Sequence, residues 1–447
     1  MADTLQGFPY FRLRFDGDGK LIDDADRRKL LTAIGPGAAK RPRELFVIAH
    51  GWKTDATDGT QLYNQFFSSV KALFAARQRR KPADFAVVGV FWPSRHLYEG
   101  FADQVRAAAE GAAASAGRTA GAASAGVRRA LDDLAAISGP EVSKALKGAD
   151  LTQLENRPEV RDALLKALQS SVREDAAPKA DDENDVRFLK ATNGTKTIDR
   201  LSAPPPLVPG SNSGHAASGG GGGGQALGQS GSGFWAGVER LIELTSYYKM
   251  KRRAGVVGKG LAKVLDEAAK TAPDVPIHLI GHSFGARLVS SAASSSKFKP
   301  ASLSLLQAAF SHHGFSPAAD DRKDGVFLNV ITRAKVTGPI IVTHTKNDSA
   351  VGVAYPWASM LSGDNASDIG GPESAWGGLG SNGAVKTSAG VAKNTDLQPA
   401  TADTPFSGAT IYNLKGDSFI AKPGGGDAHG EVHGQAVANA VLLAAGY

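Results

Sequence analysis

The pentapeptide Gly281-His282-Ser283-Phe284-Gly285 carries the most specific chemistry in the chain. An apolar run, Ile277-His278-Leu279-Ile280, comes just before it, and Ala286-Arg287-Leu288-Val289 opens a helical pattern just after it. A serine on a sharp strand-to-helix turn sits in strained backbone, and the flanking glycines supply room that side chains would fill. Its hydroxyl then stands at the carboxyl edge of a sheet and at a helix N-terminus, where N–H groups and the helix dipole receive developing negative charge. With 53 glycines in the chain a bare Gly-x-Ser-x-Gly is a weak signal; the strand before it and the helix after it give it weight. Such a serine is a candidate nucleophile, and it needs a base that is itself oriented by an acid.

Around this turn, short apolar runs recur between longer helical patterns. They are Leu45–Ala49, Ala86–Trp92, Ile277–Ile280, Leu303–Phe310, Ile340–His344 and Ala409–Leu414. Most are continuous rather than alternating, as in strands buried on both faces of a parallel sheet. The β-α repeat predicts an α/β fold with a doubly wound, mostly parallel sheet. Tyr10–Phe15 alternates and is bounded by Asp16-Gly17-Asp18-Gly19, which predicts an antiparallel edge hairpin. The core is expected in two parts, residues 1–96 and 235–447.

Residues 97–234 interrupt the rhythm without a convincing strand. Phe101–Ile137 is Ala-rich and Leu151–Val172 has helical spacing, so a helical insertion or cap is expected. It ends in Ala203-Pro204-Pro205-Pro206-Leu207-Val208-Pro209 and the six glycines 219–224, a composition for a flexible linker. A second Gly-rich polar interval, 362–405, reads as a surface excursion.

These parts resemble the α/β-hydrolase superfamily of serine esterases and lipases. Leu45–Ala49 runs into His50-Gly51-Trp52, similar to the family's oxyanion turn. The resemblance implies that the backbone N–H groups of Trp52 and Phe284 hold an oxyanion. The family order of serine, acid, histidine places the acid at Asp348, after Ile340–His344, with Asp320, Asp321 and Asp324 as rivals. It places the base in Gly426-Asp427-Ala428-His429-Gly430-Glu431-Val432-His433, at His429 first and His433 second, before a C-terminal helix, Gln435–Ala445. His50, Gly51, His282 and Trp92 are then expected to border the substrate. The implied activity is hydrolysis of a small-molecule or lipid carboxylic ester through an acyl-enzyme, with no cofactor. A phospholipase-type toxin effector and a non-catalytic scaffold on the same fold are the other readings.

Composition narrows the rest. There is no cysteine, which excludes disulfides, a thiol nucleophile and Cys-ligated zinc. His429 and His433 stand four apart like a helical zinc pair, but Gly430 and Gly434 argue against a helix there, so no metal is expected. The net charge of +7 over 447 residues is mild, which disfavours nucleic acid as a partner. Part of it sits in two runs, Arg77–Lys81 and Lys249-Met250-Lys251-Arg252-Arg253. These are compatible with peripheral membrane contact, but solvated helix ends account for them more simply. Beside the second run, Tyr247 and Tyr248 are expected to tuck inward, with the cations in solvent and a helix over Val256–Lys270. No leader or membrane-spanning stretch is evident, so a cytoplasmic protein is expected.

Overall fold

In a computed structural model of the chain, the described residues are 3–52, 54–77, 81–94, 120–173, 188–202, 233–319, 323–348, 351, 377–404, 406, 411–423 and 427–447. Among the described residues nine strands form one sheet: β1 Asp3–Leu5, β2 Phe8–Arg14, β3 Glu44–Ala49, β4 Phe85–Phe91, β5 Ile277–His282, β6 Ser302–Leu306, β7 Ile340–His344, β8 Ala392–Asp396 and β9 Ile411–Lys415. Their order is β1-β2-β4-β3-β5-β6-β7-β9-β8. Only β1 is antiparallel to its neighbour, in a hairpin with β2; every other pairing is parallel. The architecture is therefore α/β with a mostly parallel sheet.

The described helices are α1 Asp24–Ile34, α2 Ala56–Arg77, α3 Ala120–Ala136, α4 Pro140–Lys147, α5 Pro158–Arg173, α6 Gly194–Ser202, α7 Phe234–Thr271, α8 Phe284–Ser295, α9 Leu328–Thr332, α10 Leu379–Asn382 and α11 Gln435–Ala444. Among the described residues no helix is long and apolar enough to cross a membrane.

The continuous apolar runs have a direct explanation in β3. Leu45, Val47 and Ala49 join a core cluster with α1, α7 and α8, while Phe46 and Ile48 join a second cluster with α2 and α11. Successive side chains point to opposite faces, and both faces are covered, so both must be apolar.

Four expectations are corrected. The hairpin turn is at Gln6-Gly7, not at residues 16–19, where Phe15 and Leu21 form only an isolated bridge. The interval 362–405 contains α10 and strand β8, because Lys393 and its neighbours pair with β9 as an exposed edge. The helix expected over Val256–Lys270 begins 22 residues earlier and is continuous over Phe234–Thr271. The basic run within it is buried, not solvated: Lys249 and Lys251 are 1% exposed.

The reason lies in the insertion helices. Each ends with carbonyls that have no partner inside the helix and that carry the negative end of its dipole. Arg240 donates to Leu201 O at the end of α6 (2.6 Å), and Lys249 to Ser171 O at the end of α5 (2.7 Å). Arg253 donates to Ile137 O just past α3 (3.2 Å). The cations of α7 thus cap three helix C-termini. The insertion is also part of the core: Leu131, Leu168, Phe188 and Leu201 belong to the same apolar cluster as β3, β5 and α8. The expected linker and residues 95–119 and 174–187 lie outside the described residues.

Candidate functional site

Ser283 sits between β5 and α8 with φ 56° and ψ −122°. A non-glycine residue there is strained, by about 1–3 kcal/mol. Neighbouring backbone holds it: Ser283 N–H donates to Leu306 O (3.0 Å), and Ala309 N–H donates to Ser283 O (3.2 Å). The end of β6 therefore brackets the serine. A Cβ on Gly281 would overlap Gly285 O and Ala286, and one on Gly285 would overlap Ala49 O and His50 O. Both glycines are present because β3, β5 and α8 approach too closely for any side chain.

Phe284 opens α8, so its N–H is one of the first donors of the helix, which lack intrahelical partners. Across from it, the loop after β3 brings Gly51 against the serine; a Cβ on Gly51 would lie 2.7 Å from Ser283 Cβ. Trp52 follows, with its ring 5.9 Å from that of Phe284 and 6.2 Å from that of Tyr247. Tyr247 from α7 also contacts Phe284 at 5.1 Å. Trp52 and Phe284 thus flank the serine from two elements.

His50 and Trp92 lie behind this wall rather than on it. Trp92 Nε1 donates to His50 O (3.1 Å), the two rings stack at 6.0 Å, and both residues are buried. His50 N–H donates to Tyr63 Oη (2.9 Å), and Tyr63 in turn donates to Val90 O (2.7 Å). Ser94 Oγ donates to Thr54 O (2.7 Å). Together they fix the loop that carries Trp52. Burial pushes the His50 pKa down to about 4.

Asp348 follows β7 and is buried. Three N–H groups converge on it: His429 Nδ1 to Oδ2 (2.9 Å), Gln307 Nε2 to Oδ2 (3.1 Å) and Val351 N to Oδ1 (2.9 Å). Asn347 O accepts from Ala428 N (2.9 Å), and Asn347 Nδ2 reaches Asp417 O and Ile420 O, both at 3.0 Å. The loops after β7 and β9 and the loop before α11 are thereby stitched together. Burial opposes charge on His429, but the charge of Asp348, the hydrogen bond to it and Asp427 outweigh this and raise its pKa.

The structure separates the two late histidines. His429 meets Asp348, whereas His433 Nδ1 faces Gly430 O (3.4 Å) and its carbonyl accepts from Ser69 Oγ. Of the rival acids, Asp324 accepts from Ala318 N, and Asp320 and Asp321 lie outside the described residues. Among the described residues no group of three His, Asp or Glu is disposed to hold a metal.

His282 links the elbow to the base loop. Its Nε2 donates to His429 O (2.8 Å), and the two rings lie 4.8 Å apart. Burial, then repulsion from His429, pushes its pKa down to about 3, so it is a neutral donor. His429 makes no hydrogen bond to Ser283 Oγ; its side-chain bond runs to Asp348, and its backbone bonds to Asp427 and His282.

Tyr63, Tyr247, Asn347 and Gln307 were not singled out as site residues from sequence. Tyr247 stood beside the basic run; the other three carry no local signal, since each acts through a partner distant in the chain. Comparison with family models, with curated proteins and with solved structures gives no match to this chain.

Proposed function

We propose that this chain is a serine hydrolase of α/β-hydrolase type acting on carboxylic esters. The observation that carries the reading is the His429 Nδ1–Asp348 Oδ2 hydrogen bond of 2.9 Å, in a loop that His282 ties to the strained serine turn. Serine, acid and histidine follow one another in the order used by that family, each at the carboxyl end of a strand of one sheet.

In this mechanism Ser283 Oγ attacks the ester carbonyl carbon, and its proton passes to His429 Nε2. Asp348 holds Nδ1–H, which sets the tautomer and stabilises the imidazolium. The N–H groups of Trp52 and Phe284 bind the carbonyl oxygen as it becomes negative. Collapse breaks the bond to the alcohol oxygen, which takes the proton from His429. Water, deprotonated by His429, then attacks the acyl-enzyme and releases the acid. The strain at Ser283 supports the reading, since a strained nucleophile held by neighbouring strands needs little reorganisation to react. Burial of the run Lys249–Arg253 removes one of the two surface charge clusters that favoured a membrane-lipid substrate.

A fluorophosphonate probe tests this directly. Wild type is expected to label and Ser283→Ala to remain unlabelled. p-Nitrophenyl esters of rising acyl length then separate esterase from lipase behaviour. Unlabelled wild type with no ester turnover overturns the proposal and favours a binding scaffold.

A further inference from the structure

We infer that Gln307 is a positioning residue for the acid–base pair, which deepens the hydrolase reading and rests on it. Gln307 lies just past β6, fully buried, with φ 44°. That left-handed backbone is unfavourable for any residue with a side chain. It occurs where Leu306 O receives the Ser283 N–H and Ala309 N–H reaches Ser283 O. The bend at Gln307 therefore lets one short segment brace the nucleophile on both sides. Its N–H donates to Thr343 Oγ1 (3.1 Å), which pins the bend to β7.

The side chain reaches the other end of the site. Nε2 donates to Asp348 Oδ2 (3.1 Å) and to Gly380 O (3.3 Å). The same Oδ2 takes the His429 Nδ1–H. The Gln307 amide thus fixes the carboxylate rotation that aims a lone pair at the imidazole. Among the described residues Oε1 is buried without a hydrogen-bond partner. A buried amide whose oxygen is unsatisfied is costly, and it is kept where its donor face is needed. Positioning of Asp348 supplies that need.

Among the described residues, the titratable groups on the elements around this position are Asp348, His344 and Lys346 from β7 and its following loop, His312 and His313 after β6, His429, Asp427 and His433 before α11, His282 at the end of β5 and Asp417 after β9. Of these, only Asp348 is hydrogen-bonded to Gln307 Nε2.

Two near-isosteric variants test the role. Gln307→Met removes the donor and is expected to lower kcat about 10- to 100-fold with KM within about threefold. In Gln307→Glu, burial and the charge of Asp348 both favour the protonated carboxyl, which donates as the amide does; at alkaline pH it ionises, loses that bond and repels Asp348. The ratio of its kcat to that of wild type is therefore expected to rise as pH falls. A purely structural role predicts a ratio independent of pH. The deshielded proton resonance of His429 Nδ1–H, read by NMR, is expected to move upfield or vanish in Gln307→Met while the melting curve stays cooperative. Because this readout needs no turnover, a wild type without hydrolysis sinks the enzyme reading and still leaves the Gln307 effect measurable. Unchanged kcat in both variants, or an unchanged resonance in Gln307→Met, overturns the inference.

Discussion

His282 Nε2 donates to the backbone carbonyl of His429 at 2.8 Å, so the residue before the proposed nucleophile holds the loop of the proposed base. A His282→Phe variant keeps the ring and its packing but loses this bond. Its kcat is expected to fall about 10- to 100-fold, near 1.4–2.7 kcal/mol of transition-state stabilisation. Probe labelling of Ser283 is expected to slow in parallel. Unaltered labelling kinetics would show that the loop is held by other contacts.

The choice between His429 and His433 makes a sharper test. Asp348→Asn leaves the geometry but favours the wrong imidazole tautomer, a change expected to cost about 10⁴ in kcat. His429→Ala is expected to be similarly damaging, and His433→Ala to stay within about threefold of wild type, because the ring of His433 bonds to Gly430 O and not to Asp348. A reversal of the two histidine variants would reassign the base.

Protonation acts on rate and on stability with different signs. The proposed base must be neutral, and the pKa of His429 is raised above the usual 6.5. The acid limb of kcat/KM is therefore expected above pH 6.5; a limb at or below about 6 contradicts it. For stability, His50 and His282 have folded pKa values lowered to about 4 and about 3. The unfolded chain takes up their protons near 6.5 while the folded chain does not, so stability falls as pH drops below 6.5, at up to about 1.4 kcal/mol per pH unit for each proton. His429 contributes with the opposite sign: its share is full at low pH and is lost as pH rises through its raised value. Burial lowers the pKa of His344 as well, so with three residues against one, melting temperature is expected to fall from pH 7 to pH 5, as calorimetry can measure.

The capping of insertion helices by α7 predicts a stability effect remote from the site. Lys249→Met keeps the stem but removes the donor to Ser171 O. A hydrogen bond to a charged group contributes about 1.5–3 kcal/mol, and melting temperature is expected to drop accordingly. Because insertion and sheet share one apolar cluster, the loss is expected to appear in a single transition. Two separate transitions would show that the insertion folds on its own.

The amino-acid sequence by itself determined the features set by near neighbours. Gly281 and Gly285 announced a turn that only glycine can make, and the apolar runs announced strands covered on both faces, with β7 read to its ends. Asp348 and His429 were legible as positions after strands, since a parallel sheet collects such loops at one edge. What the tertiary structure alone decided depends on segments far apart in the chain. His429 and His433 stand four positions apart, and local pattern cannot say which imidazole faces Asp348, 81 residues before His429. Gln307 reads as an ordinary strand-end residue until β6 and β7 bring its amide onto that carboxylate. The run Lys249–Arg253 reads as solvated because its partners, the carbonyl ends of α3 and α5, are backbone groups that every residue possesses. Charge is written in side chains; the unsatisfied carbonyl that draws it inward exists only once a helix has formed and stopped.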